Sequence, residues 1–321
     1  MSEGMEGCSI PSTDNLSLAT ISYLVFLTFQ ALVGMSLNAF IVVVNCIDGI
    51  RKRHLKSVDK ILTAMGISRF CYLCTLQVKY FWMAISLQAL ELTSLFRAFK
   101  AVIWCLTCSN LCFSACLCAF YCAKIANFQH YIFIHLKMRI SRMVPWLLLA
   151  SVFLSLVNTI PFYRGIYTIT CKNNNSSSEL GNDTLVDITM ETDFLNLFLF
   201  CGIGFSLAFF VLAMSSFLLL FSVWRHTHQM QKGLASFSNP SMAAHFKAVK
   251  TIISFLIIEG VNFIALMLLL ANIYGERSPA SQVCAIILYV CPAVQSNTLI
   301  WGNPKFKRVF IRVMHYIQHM F

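Results

Sequence analysis

The sequence predicts an all-α membrane protein: one domain, residues 1–321, folded as a bundle of seven transmembrane helices with a short amphipathic C-terminal helix. The first indication is composition, since 58% of the 321 residues are hydrophobic and only 12% are charged. A soluble domain is normally about half apolar and about a quarter charged. The second is that the apolar residues form long blocks rather than short alternating runs, which argues against one large soluble core. The third is the unequal division of charge between the loops on the two sides.

Seven apolar blocks are each long enough to cross a bilayer core, which takes about 20 residues of helix. The third block is the clearest, because no charged side chain lies between Lys100 and Lys124. The chain after the seventh block alternates basic with apolar residues, which is typical of an amphipathic helix on a membrane surface. The blocks run from about residue 18 to 46, 59 to 87, 101 to 128, 143 to 163, 194 to 224, 250 to 274 and 278 to 301.

The charges predict the orientation of the bundle. The loops after blocks one, three and five, with the tail, hold most of the lysines and arginines, and the opposite loops hold most of the acids. By the positive-inside rule, residues 1–17 are extracellular and the tail, residues 303–321, is cytoplasmic. The net charge of +11 is therefore assigned to membrane orientation, and no zinc-finger spacing or basic stripe indicates nucleic acid.

Four glycosylation sequons agree with this orientation. Each has the form Asn-x-Ser or Asn-x-Thr, and all lie on the predicted extracellular side. Three of them fall in the second outer loop, residues 164–193, which we expect to be glycosylated. The four asparagines are Asn15, Asn174, Asn175 and Asn182.

Cysteine is frequent, with 14 residues in the chain. Six lie in the third block at spacings of three and four, which places most of them on one helix face. A metal or redox site is one interpretation. The other is that buried cysteines act as small hydrophobic residues that allow helices to approach closely, and we favour it. We expect no metal site and no cofactor.

Several short motifs at the ends of the blocks resemble the type 2 taste receptor family, the bitter receptors. The third block ends in Lys124-Ile-Ala-Asn-Phe128, and the seventh ends in Leu299-Ile-Trp-Gly-Asn-Pro-Lys-Phe-Lys307. The second block contains Ile61-Leu-Thr-Ala-Met-Gly-Ile-Ser-Arg69, which is similar to a motif of that family. The resemblance implies a chemosensory G-protein-coupled receptor in the cell membrane. Such a receptor binds small bitter agonists in the outer half of its bundle and activates a heterotrimeric G protein, gustducin or another inhibitory-class member.

An arginine inside the second block requires a partner. A charge within the bilayer is costly unless it is paired, and Arg69 lies ten residues beyond Asp59. Asn38 and Ser296 are plausible partners, and the resemblance implies such a polar cluster between these helices. The alternative is that Arg69 extends to the inner surface.

The resemblance also implies two surfaces. On the cytoplasmic side, a G-protein face would include Lys124, His228, Lys250 and Lys305, although ordinary positive-inside charge explains their sign equally well. On the opposite side, agonist-binding positions of the family fall on Ile103, Thr107, Asn262 and Ala285. Trp104 lies one step from Ile103, and Tyr80 and Trp82 on the upper part of the second block are further candidates, although each aromatic side chain could instead pack against lipid or at the membrane interface.

Glu259 is an acid within the sixth block, and an acid at that depth is by default a candidate functional residue. Asn262 follows three residues later on the same helix face. We expect both to face the bundle interior, with Glu259 at the base of the agonist cavity. The alternative is a protonated or hydrogen-bonded carboxyl that only holds helices together.

Two other classes of protein share parts of this pattern. A vomeronasal type 1 pheromone receptor has a related layout, but the motifs after the third and seventh blocks argue against it. A transporter or channel would be favoured by paired half-repeats, and we find none. Enzyme motifs such as HExxH, GxSxG or a phosphate-binding loop are absent from the sequence.

Overall fold

A computed structural model describes residues 18–85, 92–125, 131–165, 168–172, 187–191, 198–233, 240–271 and 278–320. A π-helical turn, Phe198–Gly202, leads directly into α5. The helices are α1 (Leu18–Lys52), α2 (Ser57–Ile85), α3 (Leu92–Ile125), α4 (Tyr131–Gly165), α5 (Ile203–Gly233), α6 (Pro240–Leu270), α7 (Pro279–Gly302) and α8 (Pro304–Met320).

Helices α1 to α7 are each long and apolar enough to cross a membrane, which confirms the predicted seven-helix bundle. The loop between α4 and α5 adds an antiparallel pair of strands, β1 (Thr168–Lys172) and β2 (Asp187–Glu191). The all-α prediction did not include this pair. Both strands contain neighbouring threonine and isoleucine residues, and such β-branched residues favour strands. This is the feature of the sequence that indicates the pair.

Several helices extend well beyond the apolar blocks. The fourth block was expected from residue 143, but α4 begins at Tyr131, and α5 continues to Gly233. Likewise α6 begins at Pro240, ten residues before the expected start. Hydropathy detects only the part of a helix that lies in the bilayer. Polar residues with good helix propensity allow the same helix to continue beyond the bilayer.

Helix α3 is the most buried of the seven and packs against α2, α4 and α5. Three of its cysteines, Cys108, Cys118 and Cys122, are buried in these contacts, as expected of small packing residues. Among the described residues, no group of three or more His, Cys, Asp or Glu side chains could hold a metal ion.

Helices α1 and α2 approach closely where Gly66 faces α1. A Cβ atom at this position would lie 2.8 Å from Val42 Cγ2 and 3.3 Å from the Asn38 carbonyl oxygen. A larger residue would therefore push the helices apart. Asn38, whose carbonyl lies at this contact, is fully buried.

The chain turns sharply between α7 and α8 at Asn303. Its backbone N–H donates to the Leu299 carbonyl at the end of α7, and its Oδ1 accepts from the Lys305 N–H at the start of α8. Pro304 at the first position of α8 suits a helix start, because the missing N–H would have no helical partner there. One asparagine thus ends one helix and begins the next.

Lys305 then attaches α8 to α1 and α2. Its Nζ lies 2.9 Å from Asp48 Oδ2 and 3.3 Å from Asp59 Oδ2, and it donates to Asn45 Oδ1 at 2.8 Å. Asn45 Nδ2 in turn donates to Thr63 Oγ1 on α2 at 3.2 Å. We call Asn45, Asp48, Asp59 and Lys305 the junction network. It lies at the basic end of the bundle, where α1, α3 and α5 end.

We predict that Lys305→Gln destabilises the protein, because it leaves Asp48 and Asp59 without their shared cation. The expected loss is about 1–2 kcal/mol, between that of an exposed and a buried ion pair. Melting of the purified protein, followed with a dye that reacts with newly exposed thiols, measures the loss. Lys52→Gln is the matched control, because Lys52 also contacts Asp48 but is largely exposed. Equal losses in the two variants would contradict a special role for Lys305.

Candidate functional site

The centre of the candidate site is a buried contact between an arginine on α2 and a glutamate on α6. Arg69 is 1% exposed and Glu259 is 3% exposed. Arg69 Nη2 lies 3.8 Å from Glu259 Oε1, within ion-pair range but longer than a hydrogen bond. Each charge would be very costly alone at this depth, so each requires the other nearby.

Ser114 on α3 is the second polar contact of Glu259. Its Oγ donates a hydrogen bond to Glu259 Oε1 at 2.6 Å, and its side chain is fully buried. The glutamate is therefore held from α3 and from α2. These are the polar side-chain contacts of α6 with those two helices in the part of the chain that the structure describes.

A small cavity of about 20 Å³ lies beside the ion pair. A space of that size is sufficient for a water molecule. Polar atoms around it lack a protein hydrogen-bond partner, namely the three Arg69 nitrogens, Asn110 Oδ1 and Gln295 Nε2. The lining residues are Arg69, Tyr72, Thr107, Asn110, Leu111, Glu259, Asn262, Leu288, Cys291, Pro292 and Gln295.

Three of the agonist-site candidates from the sequence thus lie around one cavity: Thr107, Glu259 and Asn262. Thr107 is engaged locally, because its hydroxyl donates to the Ile103 carbonyl at 2.8 Å. Asn262 is partly exposed to the cavity.

The polar cluster expected around Arg69 has a different arrangement. Ser296 Oγ lies 2.7 Å from Asn38 Oδ1 and donates to it, and Asn38 Nδ2 donates to the Gly34 carbonyl at 2.8 Å. The first bond links α7 to α1, and the second lies within α1. The Arg69 nitrogens make no hydrogen bond with either residue, and Glu259 is the described acid in contact with the guanidinium.

Trp104 belongs to an aromatic stack in the core. Its ring is parallel to Phe162 on α4 at 4.7 Å and lies 5.8 Å from Phe205 on α5. Phe263 on α6 stacks on Phe205 at 5.7 Å and on Phe209 at 4.2 Å. The stack as a whole joins α3, α4, α5 and α6. Trp104 is 3% exposed and is not among the residues that line the small cavity.

The remaining agonist-site candidates do not line the small cavity. Trp82 is exposed on the surface of α2, while Ile103 and Ala285 are half-buried. The Tyr80 side chain lies outside the described part of the protein, as do the four sequon residues Asn15, Asn174, Asn175 and Asn182.

The expected G-protein residues lie at the basic end of the bundle. Lys124 and Lys250 are exposed, and His228 is exposed with its ring stacked on Trp224 at 5.7 Å. Lys305 differs from them, because its side chain is held in the junction network.

The sequence does not single out Ser114 or Asn110, and Gln295 is marked only as the residue at the position of a helix-seven histidine in the resembling family. Nothing in the sequence distinguishes Ser114 from other small residues of the cysteine-rich α3. For Asn110 and Gln295 a signal was present, since amides are uncommon in apolar helices and require partners.

Comparison of the sequence with known proteins gives matches to one receptor family. A sequence profile described as Taste receptor protein (TAS2R) matches residues 16–318. The chain is similar to Taste receptor type 2 member 40 of Gallus gallus, with 34% identity over 301 residues, covering 94% of this chain and 96% of the relative. It is also similar to member 9 of Macaca mulatta, with 30% identity covering 92% of this chain and 94% of the relative. The profile includes all seven long helices.

We predict that Ser114→Ala lowers stability by about 1.5–3 kcal/mol, the usual loss for a buried hydrogen bond to a charged group. Thermal melting measures the change. Ser109→Ala is the matched control: Ser109 is also buried on α3, but its hydroxyl donates only to the Cys105 carbonyl of its own helix. A loss no larger than that of the control would mean that Ser114 does not hold Glu259.

Proposed function

The chain belongs to the taste receptor type 2 family, and on that premise we propose that it senses small bitter agonists in its bundle and activates a heterotrimeric G protein. The observation that carries the proposal is the Arg69–Glu259 contact, which joins α2 to α6 at the base of a polar cavity. Charges at this depth are retained at a cost in stability, which supports a functional role.

We propose that agonists bind between the cavity and the extracellular ends of the helices. Asn262, Thr107 and Asn110 supply polar groups at the base, and all three line the cavity. We propose that Trp82, Ile103 and Ala285, which belong to α2, α3 and α7, shape the space above.

In this proposal Glu259 connects helices and does not bind the agonist directly. We propose that Arg69, whose Nη2 lies 3.8 Å from Glu259 Oε1, balances the charge of the carboxylate and weakens its attraction for a cationic agonist. Glu259 connects α6 to α2 and α3 instead. Asn262 lies one turn away on the same face, so an agonist that draws Asn262 upward changes the position of Glu259. An agonist that binds the displaced arrangement more tightly shifts the population towards it.

The opposite end of α6 transmits the change. Lys250 lies nine residues before Glu259, about 14 Å along the helix. With Lys124 and His228 it forms an exposed basic surface on the proposed cytoplasmic side. We propose that this surface contacts the G protein, gustducin or another inhibitory-class member. Lys305 acts indirectly, by fixing α8 beside it.

A panel of bitter compounds, with a calcium readout in cells carrying a promiscuous G protein, tests the receptor function. We expect at least one neutral and one cationic agonist. The proposal would be contradicted if the receptor reached the cell surface and gave no calcium response to any compound, in cells where the Gallus gallus relative responds.

For Glu259→Gln we predict a higher basal signal and equal shifts in potency for cationic and neutral agonists, because the variant weakens the connection between α6 and α2. Dose–response curves at matched surface expression measure both effects. Asn262→Ala is the comparison variant, and we expect its shift to differ among agonists. If cationic agonists alone lost potency in Glu259→Gln, by about tenfold or more, Glu259 would be their direct counter-ion.

We predict that the loop between α4 and α5 is extracellular and carries N-glycan at Asn174, Asn175 or Asn182. Enzymatic deglycosylation should increase the gel mobility of the protein from cells. The variant with all three asparagines changed to glutamine should lose most of that increase, with Asn15 as the remaining site. Unchanged mobility of the wild-type protein would contradict both the glycan and the proposed orientation.

A further inference from the structure

A second and much larger cavity, of about 580 Å³, lies between α3, α4 and α5. Its rim includes Leu154 on α4 and Leu207 on α5, which are 59% and 65% exposed. Both residues lie within membrane-spanning segments. The cavity therefore opens sideways towards the hydrocarbon of the bilayer, and its natural occupant is a molecule dissolved there.

The wall of this cavity is mainly apolar and, among its described lining residues, carries no charge. A fatty-acid carboxylate or a phospholipid phosphate would find no cation there and would be costly to bury. Ser151 and Ser155 do not offer a hydrogen-bond donor to a ligand. Both are buried and donate their hydroxyl hydrogens to carbonyls of α4, those of Leu147 and Ser151 respectively.

The polar groups that remain for a ligand are hydrogen-bond acceptors. Pro161 lies inside α4 and has no N–H, so the helix cannot supply a donor to the Val157 carbonyl. Both residues line the cavity. Asn158 lies beside them, and its Nδ2 is 3.6 Å from Cys108 Sγ, a long and weak contact. No described hydrogen bond occupies its Oδ1.

Gly204 keeps this acceptor group accessible from α5. A Cβ atom at Gly204 would lie 3.1 Å from Asn158 Nδ2 and 3.4 Å from its Oδ1, so a side chain there would cover the amide. The π-helical turn, Phe198–Gly202, ends two residues before Gly204. Such turns widen a helix locally and are common at functional sites.

We propose that this cavity binds a neutral apolar lipid that carries a single hydroxyl group, namely a sterol from the bilayer. The apolar body fills the space between α4 and α5, and the hydroxyl donates its one hydrogen to Asn158 Oδ1 or to the Val157 carbonyl oxygen. This site is separate from the agonist cavity, and its occupancy does not depend on the proposed receptor function.

Photolabelling with a diazirine-bearing cholesterol analogue tests the proposal on the purified full-length protein in nanodiscs. We expect the label on peptides from α4 and α5. Excess cholesterol should compete with it, whereas stearic acid and cholesterol methyl ether, which lacks the hydroxyl donor, should compete poorly. No agonist is present, so the result is independent of signalling.

Two variants test the geometry. Gly204→Leu fills the cavity and Asn158→Leu removes the acceptor, and each should lower labelling by about tenfold. Gly260→Leu on α6 is the matched control and should label normally, because nothing lies within 4 Å of an added Cβ atom there. Melting confirms that each variant is folded. If Gly204→Leu is unfolded, the proposal is tested by the labelling of Asn158→Leu and by the methyl-ether competition on the wild-type protein.

Three outcomes would overturn the proposal. If the label were spread evenly over all helices, the sterol would contact the protein only as part of the surrounding lipid and not at a specific site. Equal competition by the methyl ether would show that the hydroxyl is not recognised. Unchanged labelling of a folded Asn158→Leu variant would place the sterol elsewhere.

Discussion

The need to pair two opposite charges within an apolar bundle is the constraint on which the rest of this structure depends. Arg69 and Glu259 come from helices far apart in the sequence, and neither is stable at its depth without the other. Their contact therefore fixes α2 and α6 relative to each other. Ser114 adds α3 to the same point. The pair makes no direct hydrogen bond, so a modest movement of α6 changes it substantially.

The bundle is held more firmly elsewhere. Asn38 and Ser296 join α1 to α7, and the junction network joins α1 and α2 to α8. Four helices therefore form a frame with polar connections at two depths. Helix α6 joins α2 and α3 through Glu259 and otherwise packs on α5 and α7. On the proposed function, α6 is the element whose position an agonist changes, and the frame is the reference against which it moves.

The sequence predicts the bundle well because each transmembrane helix carries its own hydrophobic signal. It also identifies Arg69 and Glu259, since a charge in an apolar block stands out. It does not identify Ser114, because the role of a serine depends on which residue the fold places opposite it. The family resemblance places Lys305 on the G-protein face. Its contacts with Asp48 and Asp59 depend on a helix-to-helix turn that composition does not show. The cavity between α4 and α5 is likewise a property of packing.

A double-mutant cycle on Arg69→Met, Glu259→Leu and the combined variant tests the central claim most directly. Thermal melting of the purified protein gives the stability of each. Each single change leaves one buried charge unpaired, so we expect a loss of about 3–5 kcal/mol from either. The combined variant should recover most of that loss, giving a coupling energy at or above the top of the usual range of about 0.5–3 kcal/mol. If the combined variant lost the sum of the two single effects, Arg69 and Glu259 would act independently, and the pair would not be what holds α2 to α6.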